Sequence, residues 1–150
     1  MYSKILVPVD GSNCSLKGLA EALELASVSK ARIKLLYVVN ELILDPALSP
    51  SVYYDHLIES MRETGNAILD NARNIANQHG AAVEVELAET IGRRAFECIV
   101  EAARQWQADL IVMGTHGRRG MSRLAMGSDA ELVVRSAPVP VLLVRERPDT

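Results

Sequence analysis

Residues 114–128 read Gly-Thr-His-Gly-Arg-Arg-Gly-Met-Ser-Arg-Leu-Ala-Met-Gly-Ser. Four glycines (Gly114, Gly117, Gly120 and Gly127) stand here with three arginines (Arg118, Arg119 and Arg123) and no carboxylate. Glycine tolerates positive φ and carries no Cβ to block a close ligand, and successive backbone N–H groups in such a loop form an anion nest. Guanidinium forks match phosphate oxygens. The segment therefore suits a phosphorylated ligand, and it is a local +3 within a chain of net charge −3. Gly127 and Ser128 fall where a helix is expected to start, and free N–H groups and the helix dipole favour phosphate there. The Ser128 hydroxyl can add a hydrogen bond or cap that helix.

Two familiar phosphate motifs are excluded. No Gly-Lys-Ser or Gly-Lys-Thr occurs, so there is no GxxxxGK[ST] loop. No GxGxxG occurs either, which removes the usual warrant for a dinucleotide. A second candidate is Asp10, in Asp10-Gly11-Ser12 at the end of the first apolar run; the same tripeptide is also an ordinary turn. His116 lies in the loop, but a lone loop histidine is more often solvated. His56 and His79 are too far apart in sequence for an i, i+4 metal pair. Glu84 and Glu86 read as a solvated strand face, and Phe96 and Trp106 as core at helical spacing.

The elements that would hold these residues alternate. Ile5 to Val9 is a strand buried on both faces, and Ser12 caps a helix marked by Leu16, Leu19, Ala20, Leu23 and Ala26. Ile33 to Val39 is a second strand, followed by a loop at Asn40 to Pro50 that holds two prolines. A long helix is expected from about Val52 to His79, its inner face carrying Leu57, Met61, Ile68, Ala72 and Ile75, with Gly80 at its end. Val83, Val85 and Leu87 alternate with Glu84 and Glu86, as expected at a sheet edge. A helix from Ala95 to Trp106, a buried strand from Leu110 to Met113, a short helix from Ala130 to Arg135 and a strand from Val139 to Val144 complete the chain. Such alternation predicts one α/β domain, residues 1–150, with an open parallel sheet and helices on both faces. Ligands of such sheets bind outside the carboxyl ends of the strands where strand order reverses, so Asp10 and the Gly114 segment should share a crevice.

The totals narrow the class. At 150 residues and 49% hydrophobic, the chain can bury one core. Its mild acidity offers no global attraction to nucleic acid or anionic membrane. No stretch approaches ~20 apolar residues, and no signal peptide is visible, so a soluble cytoplasmic protein that does not engage membrane is expected. Cys14 and Cys98 match no CxxC pattern and read as inert thiols.

The spacing Gly114, Gly117, Gly127, Ser128 is G-x2-G-x9-G-S. With the opening ILVPVDGS and the ending PVPVLLV, it resembles the universal stress protein family over nearly the whole chain, and its ATP-binding branch in particular. That resemblance implies a Rossmann-like five-stranded sheet in order 3-2-1-4-5. By position, Asp10 resembles the residue that approaches the ribose or a metal-bound phosphate, Mg2+ being the metal. Pro8 and Val9 would line the base pocket, and Val38 would offer backbone contacts to adenine. Met113 and Gly114 would contact ribose, Gly117 and Gly127 would admit the phosphates with Arg118 beside them, and Ser128 would bind them. Asp129 sets a carboxylate next to that site; it either points away and favours the helix N-terminus, or weakens a triphosphate relative to a monophosphate. The resemblance also implies a homodimer, paired through strand 139–144 across a two-fold axis.

The leading expectation is a regulatory stress-response protein that binds an adenine nucleotide, ATP or AMP, and is switched by it. One alternative is a slow ATPase or nucleotidyl transferase, for which the sequence offers no convincing general base. The other is an interaction protein that binds no nucleotide. Nucleic acid is disfavoured, because the arginines have no interleaved aromatic for base stacking.

Overall fold

The computed structural model describes residues 1–40, 51–90, 92–116 and 126–147, apart from the side chains of Ser51 and Val52. Along them strands and helices alternate: β1 (Lys4–Pro8), α1 (Asn13–Ser29), β2 (Arg32–Val39), α2 (Ser51–Gln78), β3 (Val83–Glu89), α3 (Ala95–Trp106), β4 (Leu110–Gly114), α4 (Ser128–Ser136) and β5 (Val141–Val144). The five strands form one parallel sheet in the expected order β3-β2-β1-β4-β5. Side chains alternate across it. Ile5, Val7, Ile33, Leu35, Leu110 and Val112 pack under α1 and α2, while Leu6, Leu36, Ile111 and Met113 pack under α3 and α4. This two-sided burial is why the central strands read as continuous apolar runs.

Local chemistry sets the element ends. Ser12 caps α1, accepting a hydrogen bond from the Ser15 N–H at 3.1 Å. Gly11, at φ 85°, makes the turn before it in a conformation that favours glycine. Gly80, at φ 71°, follows the end of α2 as expected. The last strand is shorter than its sequence suggests. Pro140 has no N–H to give to a ladder, so β5 begins at Val141, although the Pro140 carbonyl still accepts from the Ile111 N–H at 3.0 Å. The fourth helix is longer than expected: it starts at Ser128, with Gly127 as its N-cap.

The inner face of α2 is corrected at one position. Ala72 is buried as expected, but Leu57, also expected inside, is 41% exposed, and Ile58, Leu69 and Ala76 are buried with Ala72. Met61, Ile68 and Ile75 flank them, partly buried. Small residues let this helix sit close to the sheet. A Cβ at Gly65 would stand 2.5 Å from the Tyr37 ring, so the glycine makes room for that ring. The loop expected at 40–50 falls outside the described residues.

Polar contacts tie the edge strand β3 to β2. Glu84 and Glu86 do face solvent, but they pair with Arg32 at 2.7 Å and Lys34 at 2.9 Å. Phe96 and Trp106 pack on the α3 side of the core as expected. Trp106 also donates its indole N–H to Glu84 at 3.1 Å and lies under the ammonium groups of Lys4 and Lys34. Cys98 is buried, which pushes its thiol pKa up and suits an inert residue.

Arg62 of α2 holds Glu89 at the carboxyl end of β3, bonding one carboxylate oxygen through Nε and the other through Nη2. This fork holds the Glu89 pKa below the ordinary glutamate value of 4.5. A lowered carboxylate pKa stabilises the fold above the unfolded value, and that contribution is lost as pH falls through the folded value. Glu89→Gln should therefore lower the melting temperature at about pH 7, and the gap to wild type should close as pH falls below about 4.5. Thermal melts across that range check it; a gap independent of pH would show that the charge contributes nothing.

Candidate functional site

At the carboxyl ends of β1 and β4 the chain departs toward opposite faces of the sheet: β1 leads into α1, and α4, which follows β4, packs on the other side. A cleft of about 1050 Å³ opens there. Pro8, Val9, Asp10, Val38, Met113, Gly114, Gly127, Ser128 and Asp129 all line it, so these residues, singled out from sequence, meet in one place. Gly117 and Arg118 lie outside the described residues, as do Gly120, Arg119 and Arg123.

The turn reading of Asp10 holds, and the residue also stands at the cleft. Its Oδ1 accepts the Ser12 N–H at 2.9 Å, which makes the turn, and its backbone N–H donates to Ser15 Oγ at 3.3 Å. Its Oδ2 has no partner among the described residues, and the side chain lines the cleft.

Val38 owes its position to strand lengths. β1 pairs with β2 up to Pro8↔Leu36, and the Val9 N–H then donates to the Leu36 carbonyl at 2.8 Å. Alternate residues of a strand turn their N–H and C=O to the same neighbour, so Val38 faces the β1 side as Leu36 does. β1 has ended by then. A donor and an acceptor, side by side, are left at the cleft without a partner in the ladder.

The glycines carry a different role from the one expected. A Cβ at Gly114 would stand 2.8 Å from Cys14 Sγ and 2.9 Å from the Cys14 carbonyl carbon and oxygen. A Cβ at Gly18 of α1 would stand 3.3 Å from the Gly114 nitrogen. α1 thus crosses the end of β4 at a distance that only glycines permit. A Cβ at Gly127 would stand 2.9 Å from the Thr115 carbonyl oxygen, which also accepts the Gly127 N–H at 2.7 Å. Beside the expected contact of Gly114 with ribose and of Gly127 with phosphate stands a reason internal to the fold: the protein's own atoms fill the space a Cβ would take. Of the two roles open to Ser128, the cap is excluded: Gly127 occupies the N-cap, so Ser128 is the first helical residue, exposed at the cleft.

Thr115 was not anticipated and joins four elements. Its N–H donates to the Val144 carbonyl of β5 at 3.0 Å, its carbonyl anchors Gly127 before α4, and its Oγ1 lies 3.8 Å from Cys14 Sγ of α1. Oγ1 also lies 2.9 Å from His116 Nδ1, which fixes that ring at the cleft; His116 is half-buried, not a merely solvated loop residue. Arg94, at the N-cap of α3, and Ser60, Met61 and Thr64 of α2 also line the cleft. Position after β3, whose carboxyl end opens on the same edge, could have signalled Arg94. Nothing in the α2 sequence fixes its rotation, so its contribution had no comparable signal.

The model of the universal stress protein family matches residues 1–145. The chain belongs to that family. A universal stress protein of Methanocaldococcus jannaschii is 34% identical, over 97% of this chain and 84% of its own. One of Bacillus subtilis is 32% identical, over 97% of this chain and all of its own. Among solved structures, a family member from Burkholderia pseudomallei is 37% identical with a TM-score of 0.78, covering 97% of each chain. A universal stress protein solved in complex with cAMP is 26% identical with a TM-score of 0.72, covering 97% of this chain and 99% of that one.

The internal packing of the motif glycines in this universal stress protein has a measurable consequence. Gly114→Ala should destabilise the chain without any nucleotide present, by about 2 kcal/mol or roughly 4–8 °C in melting temperature. Gly127→Ala should act in the same direction. Unchanged melting of both variants in nucleotide-free buffer would return these glycines to the role of ligand spacers.

Proposed function

We propose that this universal stress protein binds an adenine nucleotide in the cleft between the ends of β1 and β4, and acts in the cytoplasm as a nucleotide-dependent sensor or switch in a stress response. The observation that carries the reading is that one cleft is lined both by Val38, whose backbone donor and acceptor lie beyond the end of the β1 ladder, and by the start of α4. Adenine offers a complementary acceptor and amino donor, so Val38 reads the base, with Pro8 and Val9 beside it. Met113 and Gly114 lie along the ribose. The first amides of α4 have no intrahelical acceptor and receive phosphate together with Ser128. Gly117 and Arg118 join them from the loop, and Asp10 approaches the ribose or a Mg2+ ion on the phosphates. The relative solved with cAMP supports this ligand class.

Calorimetry with AMP, ATP and cAMP, with and without Mg2+, tests the reading. One nucleotide should bind per chain, and saturation should stabilise the fold by about 2.7 kcal/mol at a hundredfold excess over Kd. Absence of both heat and thermal shift at millimolar nucleotide would refute it. ADP release that survives purification and vanishes in Asp10→Ala would instead move the reading to an ATPase.

We also infer a homodimer through the segment 139–144. β5 is an edge strand, with Leu142 37% exposed and Val134 of the adjoining α4 46% exposed. Antiparallel pairing of two such edges satisfies both ladders and covers the apolar side chains. Light scattering at micromolar concentration should give twice the chain mass, and a monomer there would exclude the pairing.

A further inference from the structure

Resting on the nucleotide reading, we propose that Asp129 sets which nucleotide the cleft accepts, favouring a single phosphate group, linear or cyclic, over a triphosphate. Among the described residues lining the cleft the charged side chains are Asp10, Asp129, Glu131 and Arg94, while the loop arginines Arg118, Arg119 and Arg123 lie outside them. Two of those carboxylates stand in the first turn of α4, whereas α1 and α2 have no first-turn acid and α3 has one. Glu131 is compensated within its own helix, where Arg135 Nη2 lies 2.9 Å from its Oε1. Asp129, half-buried, has no such partner among the described residues. It is the second residue of α4 and lines the cleft where the helix offers its amides.

A carboxylate at that position occupies the positive end of the helix dipole, which would otherwise serve the ligand. It stabilises the helix start and repels each further negative charge brought to it. One phosphate can still lie over the free amides. A triphosphate brings roughly two more negative charges into the same crevice, where low-dielectric walls strengthen the repulsion. Asp129 lines the cleft from the first turn of α4, so its charge acts on whatever binds there as well as on the helix start.

The test is calorimetry of AMP, cAMP and ATP against the full chain and two variants, in EDTA so that no divalent cation screens the phosphates. Wild type should bind AMP or cAMP more tightly than ATP by about tenfold or more. Asp129→Asn should raise ATP affinity about fivefold and AMP affinity by less than about twofold. Asp129→Glu, which keeps the charge, should retain the wild-type preference. An unchanged AMP-to-ATP ratio in Asp129→Asn would overturn the proposal, as would its loss in Asp129→Glu. Failure of every nucleotide to bind all three proteins would bring down the nucleotide reading itself, an outcome distinct from binding without selectivity.

Discussion

Everything in this fold follows from the point at which the sheet changes its direction of growth. β1 is central, the next two strands are added on one side of it, and the last two on the other. Parallel crossovers are right-handed, so the reversal sends α1 and α2 to one face and α3 and α4 to the other. The chain ends leaving β1 and β4 must part, and a crevice is the geometric remainder. No side chain makes that cleft; side chains only decide what it holds.

What keeps the crevice in shape is a small knot of backbone at the end of β4. Gly114 and Gly18 let α1 lie against that strand, and Thr115 ties the strand to β5, to the cap of α4 and to His116. On the opposite wall, Arg62 grips Glu89 and holds α2 beside the cleft it lines. Such contacts place the potential ligand groups before any ligand arrives, which lowers the ordering cost of binding.

The architecture was legible in sequence because each strand and helix carried its own period and its own punctuation. The alternation at Val83–Leu87 marked the edge strand, and Ser12 and Gly80 marked helix ends where they are found. The cleft lining at the strand ends was also legible, since topology alone brings Pro8, Asp10, Val38 and Met113 together. What escaped was whatever depends on helix rotation or tertiary approach. Leu57 and Ile58 are adjacent apolar residues, and only contact with the sheet decides which of them is buried. The start of α4 was marked by Gly127 and Ser128 and not by periodicity, because polar Ser128 and Asp129 carry no apolar period. Thr115 has no signal in sequence, because its importance lies in three partners distant along the chain, Cys14, Gly127 and Val144. The motif glycines were seen but their packing was not: their spacing is visible in the chain, whereas what fills the space beside them is not.

The packing around those glycines bears on descent as well as on binding. A residue kept for its ligand is released once the ligand is no longer used. A residue kept because a helix could not otherwise lie down is retained whatever the cleft contains. Gly114 and Gly127 belong to the second kind. A descendant of this chain that had lost every use for nucleotide would still display both of them at the same spacing. In comparing such descendants, the residues to follow under the proposed function are those that line the cleft, Ser128 and Asp129 among them, rather than the glycines.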